Sequence, residues 1–303
     1  MGFFLVLVLS DNRHDQMSWA GHLKEVYIVF LGVFLFLDRK SFANNNNFFQ
    51  KFIPFFIVAV YCAFDSPEIF LSLQKTLSYF LLLAVVPNYV TKLYLEDGRR
   101  FFRMLLGVAS LILFTGLIFY LGLLREFVAF GDRYCGLLGN PNGLGIFCMM
   151  IFLLLSTVRD LHPDSFERKE YFFFYALLFL SIFLTGARSS ILAIGIFLLF
   201  NYFNRMSSFL GIIVFLLIVL TYRIIEENFA SIVSALGWEK YIRLETINTA
   251  SGRIVAWTFA WDEIQKNLFF GRGFFYTEYI FHLNMDSLGR KGHQGNAHNS
   301  YLT

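Results

Sequence analysis

Residues Phe101–Leu124 read FFRMLLGVASLILFTGLIFYLGLL, and this stretch decides the class of fold. It is longer than the roughly 20 residues a helix needs to cross the hydrocarbon of a bilayer. Its only charge is Arg103, near one edge. Apolar and polar residues do not alternate along it, as the lipid-facing strand of a barrel would require. In lipid the backbone N–H and C=O groups must be satisfied within the segment, and a helix does this. Further apolar runs occupy about residues 2–10, 23–37, 52–64, 69–90, 143–158, 171–186, 189–203 and 208–222. The run at 2–10 is too short to span a bilayer unaided and reads as a tilted or clipped first helix.

The rest of the composition agrees. Hydrophobic residues make up 57% of the chain and charged residues 16%, with 40 Phe and a mean hydropathy of +0.58. A soluble domain carries about 25% charged residues. So much apolar surface exceeds what one soluble core can bury, and lipid must solvate part of it. The predicted fold class is all-α: a polytopic transmembrane helical bundle with about nine helices before a long outer loop.

Charge then sorts the connections into two alternating sets. Segments 38–51, 91–100, 159–170 and 204–207 hold Arg39, Lys40, Lys51, Lys92, Arg99, Arg100, Arg159, Arg168, Lys169 and Arg205, with Arg103 at a helix edge. Segments 11–22, 65–68, 125–142 and 187–188 hold Arg13, Arg125, Arg133 and Arg188, with Lys24 at a helix edge. Basic residues concentrate in cytoplasmic loops, so the first set reads as cytoplasmic and the second as external.

Three segments follow: transmembrane helices over 1–222, an extracytoplasmic helical subdomain over 223–297, and the start of a further transmembrane helix at 298–303. The chain stops at Thr303 as that segment begins, so it reads as C-terminally truncated. The outer segment balances eight basic against eight acidic residues and contains Trp238, Trp257 and Trp261, the composition of a folded subdomain. Within it Ile254, Trp257, Trp261, Ile264 and Leu268 recur at helical spacing, with Ser251 placed to cap the helix. The expected helix lies on the membrane face with its Trp residues at the interface.

Several chemistries lack a signal. A net charge of +3 is too small to imply nucleic acid. Cys62, Cys135 and Cys148 have no metal-ligand spacing and read as ordinary buried or interfacial thiols. No Asp-x-Asp pair, Gly-x-Ser-x-Gly elbow or P-loop occurs, so no metal site and no cofactor is expected.

Four places could carry chemistry. Arg188, in Leu184-Thr185-Gly186-Ala187-Arg188-Ser189-Ser190, lies between two apolar runs with almost no loop; it faces a polar cavity or sits at the headgroup level. Arg253 opens the amphipathic helix, where free N–H groups bind anions and a guanidinium adds a planar fork for phosphate; the alternative is a surface pair with Asp262. Asn140-Pro141-Asn142 either caps the helix that follows or contacts a ligand, and Arg133 precedes it in the same Gly-rich loop. His298, in Ala297-His298-Asn299-Ser300-Tyr301, is a base where the outer segment re-enters the membrane, or an ordinary loop histidine. The charge-derived topology puts Arg133, Arg188, Arg253 and His298 on the outer side. Three cations and one base there suit an anionic, membrane-borne substrate.

These pieces together resemble the O-antigen ligase and O-antigen polymerase family of bacterial envelope glycosyltransferases. The resemblance rests on Arg133-Tyr134-x-Gly136, Gly139-Asn140-Pro141-Asn142, Leu184-Thr185-Gly186-Ala187-Arg188, Ser251-Gly252-Arg253 with Trp257, Asn267-Leu268-Phe269-Phe270-Gly271-Arg272-Gly273, and His298-Asn299-Ser300-Tyr301-Leu302. It covers about residues 130–303; the helices expected after the His298 motif lie beyond this sequence. The resemblance implies a GT-C-like membrane enzyme of the bacterial cytoplasmic (inner) membrane, with its active site facing the periplasm. A glycan would pass from undecaprenyl diphosphate to a hydroxyl of lipid A-core, without a metal and with inversion. In the polymerase alternative the acceptor is another lipid-linked repeat unit. His298, Arg188 and Arg253 would be catalytic, and Arg133, Asn140, Asn142, Arg272 and Asn299 would bind substrate. A transporter or flippase for lipid-linked glycans is the competing class. It would leave acidic residues inside the spans, and the apolar runs here hold almost none.

Overall fold

The computed structural model describes Gly2 and residues 23–37, 49–122, 124–235, 253–266 and 270–290. The described chain is nearly all helix: α1 (Leu23–Leu37), α2 (Ile53–Phe64), α3 (Ile69–Leu121), α4 (Arg125–Val128), α5 (Pro141–Leu161), α6 (Arg168–Thr185), α7 (Arg188–Met206), α8 (Ser208–Ala235), α9 (Arg253–Lys266), α10 (Tyr276–Leu283) and α11 (Met285–Arg290). The exception is a two-residue hairpin, β1 (Ala129–Phe130) and β2 (Arg133–Tyr134), paired antiparallel. By length and composition α3, α5 and α7 can cross a membrane, and α2 and Ser208–Thr221 are shorter apolar helices. The all-α membrane class predicted from the sequence is borne out.

Local chemistry explains the boundaries. The hydrophilic segment 91–100 predicts a loop, yet α3 runs through it and leaves helical geometry only at Asp97, with φ −161° and ψ 91°. The Asp97 carboxylate accepts the Arg100 N–H at 2.9 Å, which caps the second arm and reduces the loop to a single residue. α5 starts as the sequence predicts: Asn140 is extended, its Oδ1 accepts the Asn142 N–H at 3.0 Å, and Pro141 takes the first helical position. Glu167 and Glu170 form a capping box at the start of α6. α6 ends at Gly186, whose left-handed backbone (φ 58°, ψ 30°) strongly favours glycine, and Arg188 begins α7 two residues later. α8 continues beyond residue 222 to Ala235.

The chain divides into two compact units. The first comprises Met1–Tyr27 and Leu93–Ile242. Its core joins the second arm of α3 to α5 and α6 through Leu106, Leu113, Leu144, Leu155, Val158, Leu178 and Ile182. At one end Arg99 donates to the Asp164 carbonyl. Arg103 Nε donates to the Ser165 carbonyl at 2.6 Å, Arg205 pairs with Asp160 at 2.7 Å, and the Tyr94 hydroxyl meets His162 Nε2 at 3.1 Å. These contacts join only members of the strongly basic loop set. At the other end the β1–β2 hairpin meets the α6–α7 turn, joining two members of the weakly basic set.

The second unit comprises Ile28–Lys92 and Arg243–Thr303. Phe49, Phe56 and Phe80 pack edge to face or stacked on one another beside α2 and the first arm of α3. In α9 the buried face is Ala256 and Ala260, against Ile280, Phe281 and Leu288. Trp261 is 51% exposed. Trp257 and Ile264 of the stripe that sequence periodicity marks are half-buried, and the two alanines, small enough for close helix approach, are the fully buried ones among the described residues of the helix. Large apolar side chains also stand exposed on α1, α3, α6 and α8, including Phe30, Phe70, Phe172 and Leu220. Lipid is the solvent that suits such a surface.

Candidate functional site

In the first unit the site is built around the α6–α7 turn. Thr185 is fully buried; its hydroxyl donates to the Ile182 carbonyl at 2.7 Å and accepts the Ala187 N–H at 3.1 Å. Ala187 is buried as well, because Gly145 of α5 leaves no space for a side chain beside it. The turn is therefore held from within and from the flank. Arg188 projects from its end as the first residue of α7, half-buried. The first N–H groups of that helix lie beside it, and a helix start favours anions.

Arg133 reaches this turn from the hairpin. Its Nε donates to the Thr185 carbonyl at 2.7 Å and its Nη2 to Asn142 Oδ1 at 3.0 Å. The structure thus brings Arg133, Asn140, Asn142 and the Thr185–Arg188 turn together, as one network of hydrogen bonds. Of the two alternatives for Asn140-Pro141-Asn142, a helix cap or a ligand contact, the cap is present: Asn140 caps α5. Tyr134 beside Arg133 is fully buried against Gly116 of α3, with Tyr120 at 5.1 Å. Burial holds its phenol far above the usual tyrosine range, and burial likewise raises the Cys135 thiol. Both are neutral packing groups and not bases. Cys62, Cys135 and Cys148 are free and buried, as the sequence predicts.

The second unit holds the other candidates. Arg253 is the first residue of α9, so both catalytic arginines proposed from the sequence begin helices. Arg272 lies over the Tyr276 ring at 5.4 Å, with its Nε 4.0 Å from Asp65 Oδ2. Gly273 has φ 84° and rests on Ser72 and the Ala63 backbone, where no Cβ fits. Phe274 packs between Phe55 and Tyr79. Lys75 pairs with Glu278 and lies over Phe275. Burial raises the Tyr276 phenol, helped by Glu263, to which its hydroxyl donates at 3.3 Å. The Gly271-Arg272-Gly273 motif is thus docked on the α2–α3 connection. His298, Asn299, Ser251 and Trp238 lie outside the described residues. Among the described residues no three His, Cys, Asp or Glu side chains gather as a metal site would require.

Gly145 and Lys75 escaped the sequence reading, and Thr185 and Gly273 entered it only as neighbours of the arginines in the quoted motifs. The glycines carry a local signal, since close backbone approach requires one. The Lys75–Glu278 pair spans 203 residues and leaves no local trace.

Residues 173–303 match the O-antigen ligase family model. No curated protein and no solved structure matches the chain. The ligase-family stretch begins within α6 and contains Arg188, Arg253, Arg272, His298 and Asn299. The family resemblance read from the sequence is borne out over that stretch, and it supports an O-antigen ligase or polymerase type of function for an integral membrane protein. Arg133, Asn140 and Asn142 precede the ligase-family match and join it through the hydrogen bond to Thr185.

Proposed function

We propose that this protein transfers a glycan from undecaprenyl diphosphate to a hydroxyl of lipid A-core at the outer leaflet of the bacterial cytoplasmic membrane. The observation that carries the reading is the placement of Arg188 and Arg253 as the first residues of α7 and α9. A helix start offers unsatisfied N–H groups to an anion, and a guanidinium there adds charge and a bidentate fork.

The chemistry needs little else. The acceptor oxygen attacks the anomeric carbon from the face opposite the diphosphate. A new C–O bond forms as the bond to the diphosphate oxygen breaks, and the electron pair leaves on undecaprenyl diphosphate. The hydroxyl proton passes to His298. Arg188 and Arg253 neutralise charge developing on the leaving group, and the anomeric centre inverts. Arg272 and Asn299 add substrate contacts. With a lipid-linked repeat unit as acceptor, the same steps give polymerisation.

The test is genetic. Arg188→Ala, Arg253→Ala and His298→Ala are each expected to abolish the glycan ladder on a gel while membrane levels stay at wild type. A normal ladder from any of the three removes that residue from the mechanism.

A further inference from the structure

We propose that Arg133 is a positioning residue: it braces the Thr185–Arg188 turn, and Asn142 holds Arg133 in place. The role assigned to Arg188 rests on the transferase reading above; the brace itself does not.

The brace follows from where the donors go. Thr185 closes α6, so its carbonyl is among the last four that an α-helix leaves without an intrahelical partner. Arg133 Nε takes that carbonyl at 2.7 Å. The second arm of the fork, Nη2, reaches Asn142 Oδ1 at 3.0 Å. Asn142 is fixed in turn, because its N–H is capped by Asn140 Oδ1. One guanidinium therefore ties β2, the end of α6 and the start of α5 together. Thr185 passes the constraint on, since its hydroxyl accepts the Ala187 N–H directly before Arg188. A shift of the Thr185 peptide would carry Arg188 away from the diphosphate it is assigned to hold. Arg133 thus acts on the reaction through Arg188 and not by touching substrate. Its planar, two-directional donor set explains why arginine stands here.

The test combines two readouts on the intact protein in detergent. The first is hydrogen exchange of the amides of residues 185–190. Arg133→Ala is expected to speed exchange there by about tenfold or more, because it releases a local closed state. Asn142→Leu, which removes the acceptor, should do the same. Asn142→Asp keeps an acceptor for Nη2 and should retain the protection. The second readout is the rate of glycan transfer. Arg133→Ala should lower kcat about 10- to 100-fold, the effect of a misplaced catalytic group, with the donor KM altered by less than about twofold. Unchanged exchange at 185–190 in Arg133→Ala and Asn142→Leu overturns the proposal. So does a rise in donor KM at constant kcat, which would make Arg133 a direct contact. If Arg133→Ala does not fold, the contrast between Asn142→Leu and Asn142→Asp decides. If the wild-type protein makes no product yet the exchange pattern holds, the brace stands and the transferase reading falls.

Discussion

A Cβ placed on Gly145 would overlap the methyl group of Ala187 and stand 3.0 Å from Ser190 Oγ. The first turns of α5 and α7 therefore meet with no room for a side chain between them. This contact fixes the flank of the turn that carries Arg188. Gly145→Ala should lower stability by about 1–3 kcal/mol, the usual cost of overpacking. The double variant Gly145→Ala/Ala187→Gly should recover most of that loss by moving the methyl across the gap. Thermal unfolding in detergent measures both. Full stability in Gly145→Ala alone would contradict the packing described.

The two ends of the first unit predict opposite exposure to the aqueous compartments. Asp132, in the hairpin turn, and Asp164, beside the Arg99 contact, are both exposed. The native cysteines Cys62, Cys135 and Cys148 are buried, which keeps background labelling low. In intact cells Asp132→Cys should react with a membrane-impermeant thiol reagent. Asp164→Cys should react only after permeabilisation. The reverse pattern would invert the topology drawn from loop charge.

Much of this was legible in the sequence, for physical reasons. Apolar runs at 23–37, 52–64 and 189–203 became α1, α2 and α7 with ends within a few residues, because lipid demands length and hydropathy that composition records directly. The Asn140 cap was legible because capping is local. The buried alanines of α9 were not, because Ala256 and Ala260 give only a weak periodic signal. The single-residue break at Asp97 was hidden because a charged, glycine-containing stretch such as 91–100 resembles a loop whether or not it stays helical. The grip of Arg133 on Thr185 was out of reach, since a bond across 52 residues depends on tertiary placement.

Tyr134 offers a graded test of the hairpin. The hydroxyl end of its ring fills the space at Gly116, and the hydroxyl makes one long bond of 3.4 Å to the Leu113 carbonyl. Tyr134→Phe should cost less than about 1 kcal/mol, the worth of a weak hydrogen bond. Tyr134→Ala should cost about 3–5 kcal/mol by opening a cavity. Equal losses in unfolding measurements on the two variants would make the hydroxyl the anchor and refute the packing role.

In the second unit the Gly273 seat should matter more than the ion pair beside it. Lys75 and Glu278 are partly exposed, at 34% and 48%, and such pairs contribute about 0–1 kcal/mol. Glu278→Gln should therefore change stability little. Gly273→Ala combines a positive φ with contact to Ser72 and the Ala63 backbone, and should cost about 1–3 kcal/mol. The order of the two unfolding midpoints checks this.

The central claim is covalent transfer that depends on the arginines at the starts of α7 and α9. Its most direct test supplies the purified, intact protein with a lipid diphosphate-linked glycan and a lipid A-core acceptor, and follows the acceptor by mass. The account predicts an acceptor heavier by the glycan and release of undecaprenyl diphosphate with the wild-type protein, and neither with Arg188→Ala or Arg253→Ala. Movement of the glycan lipid across a vesicle membrane with no covalent product, or wild-type transfer by either variant, would contradict it.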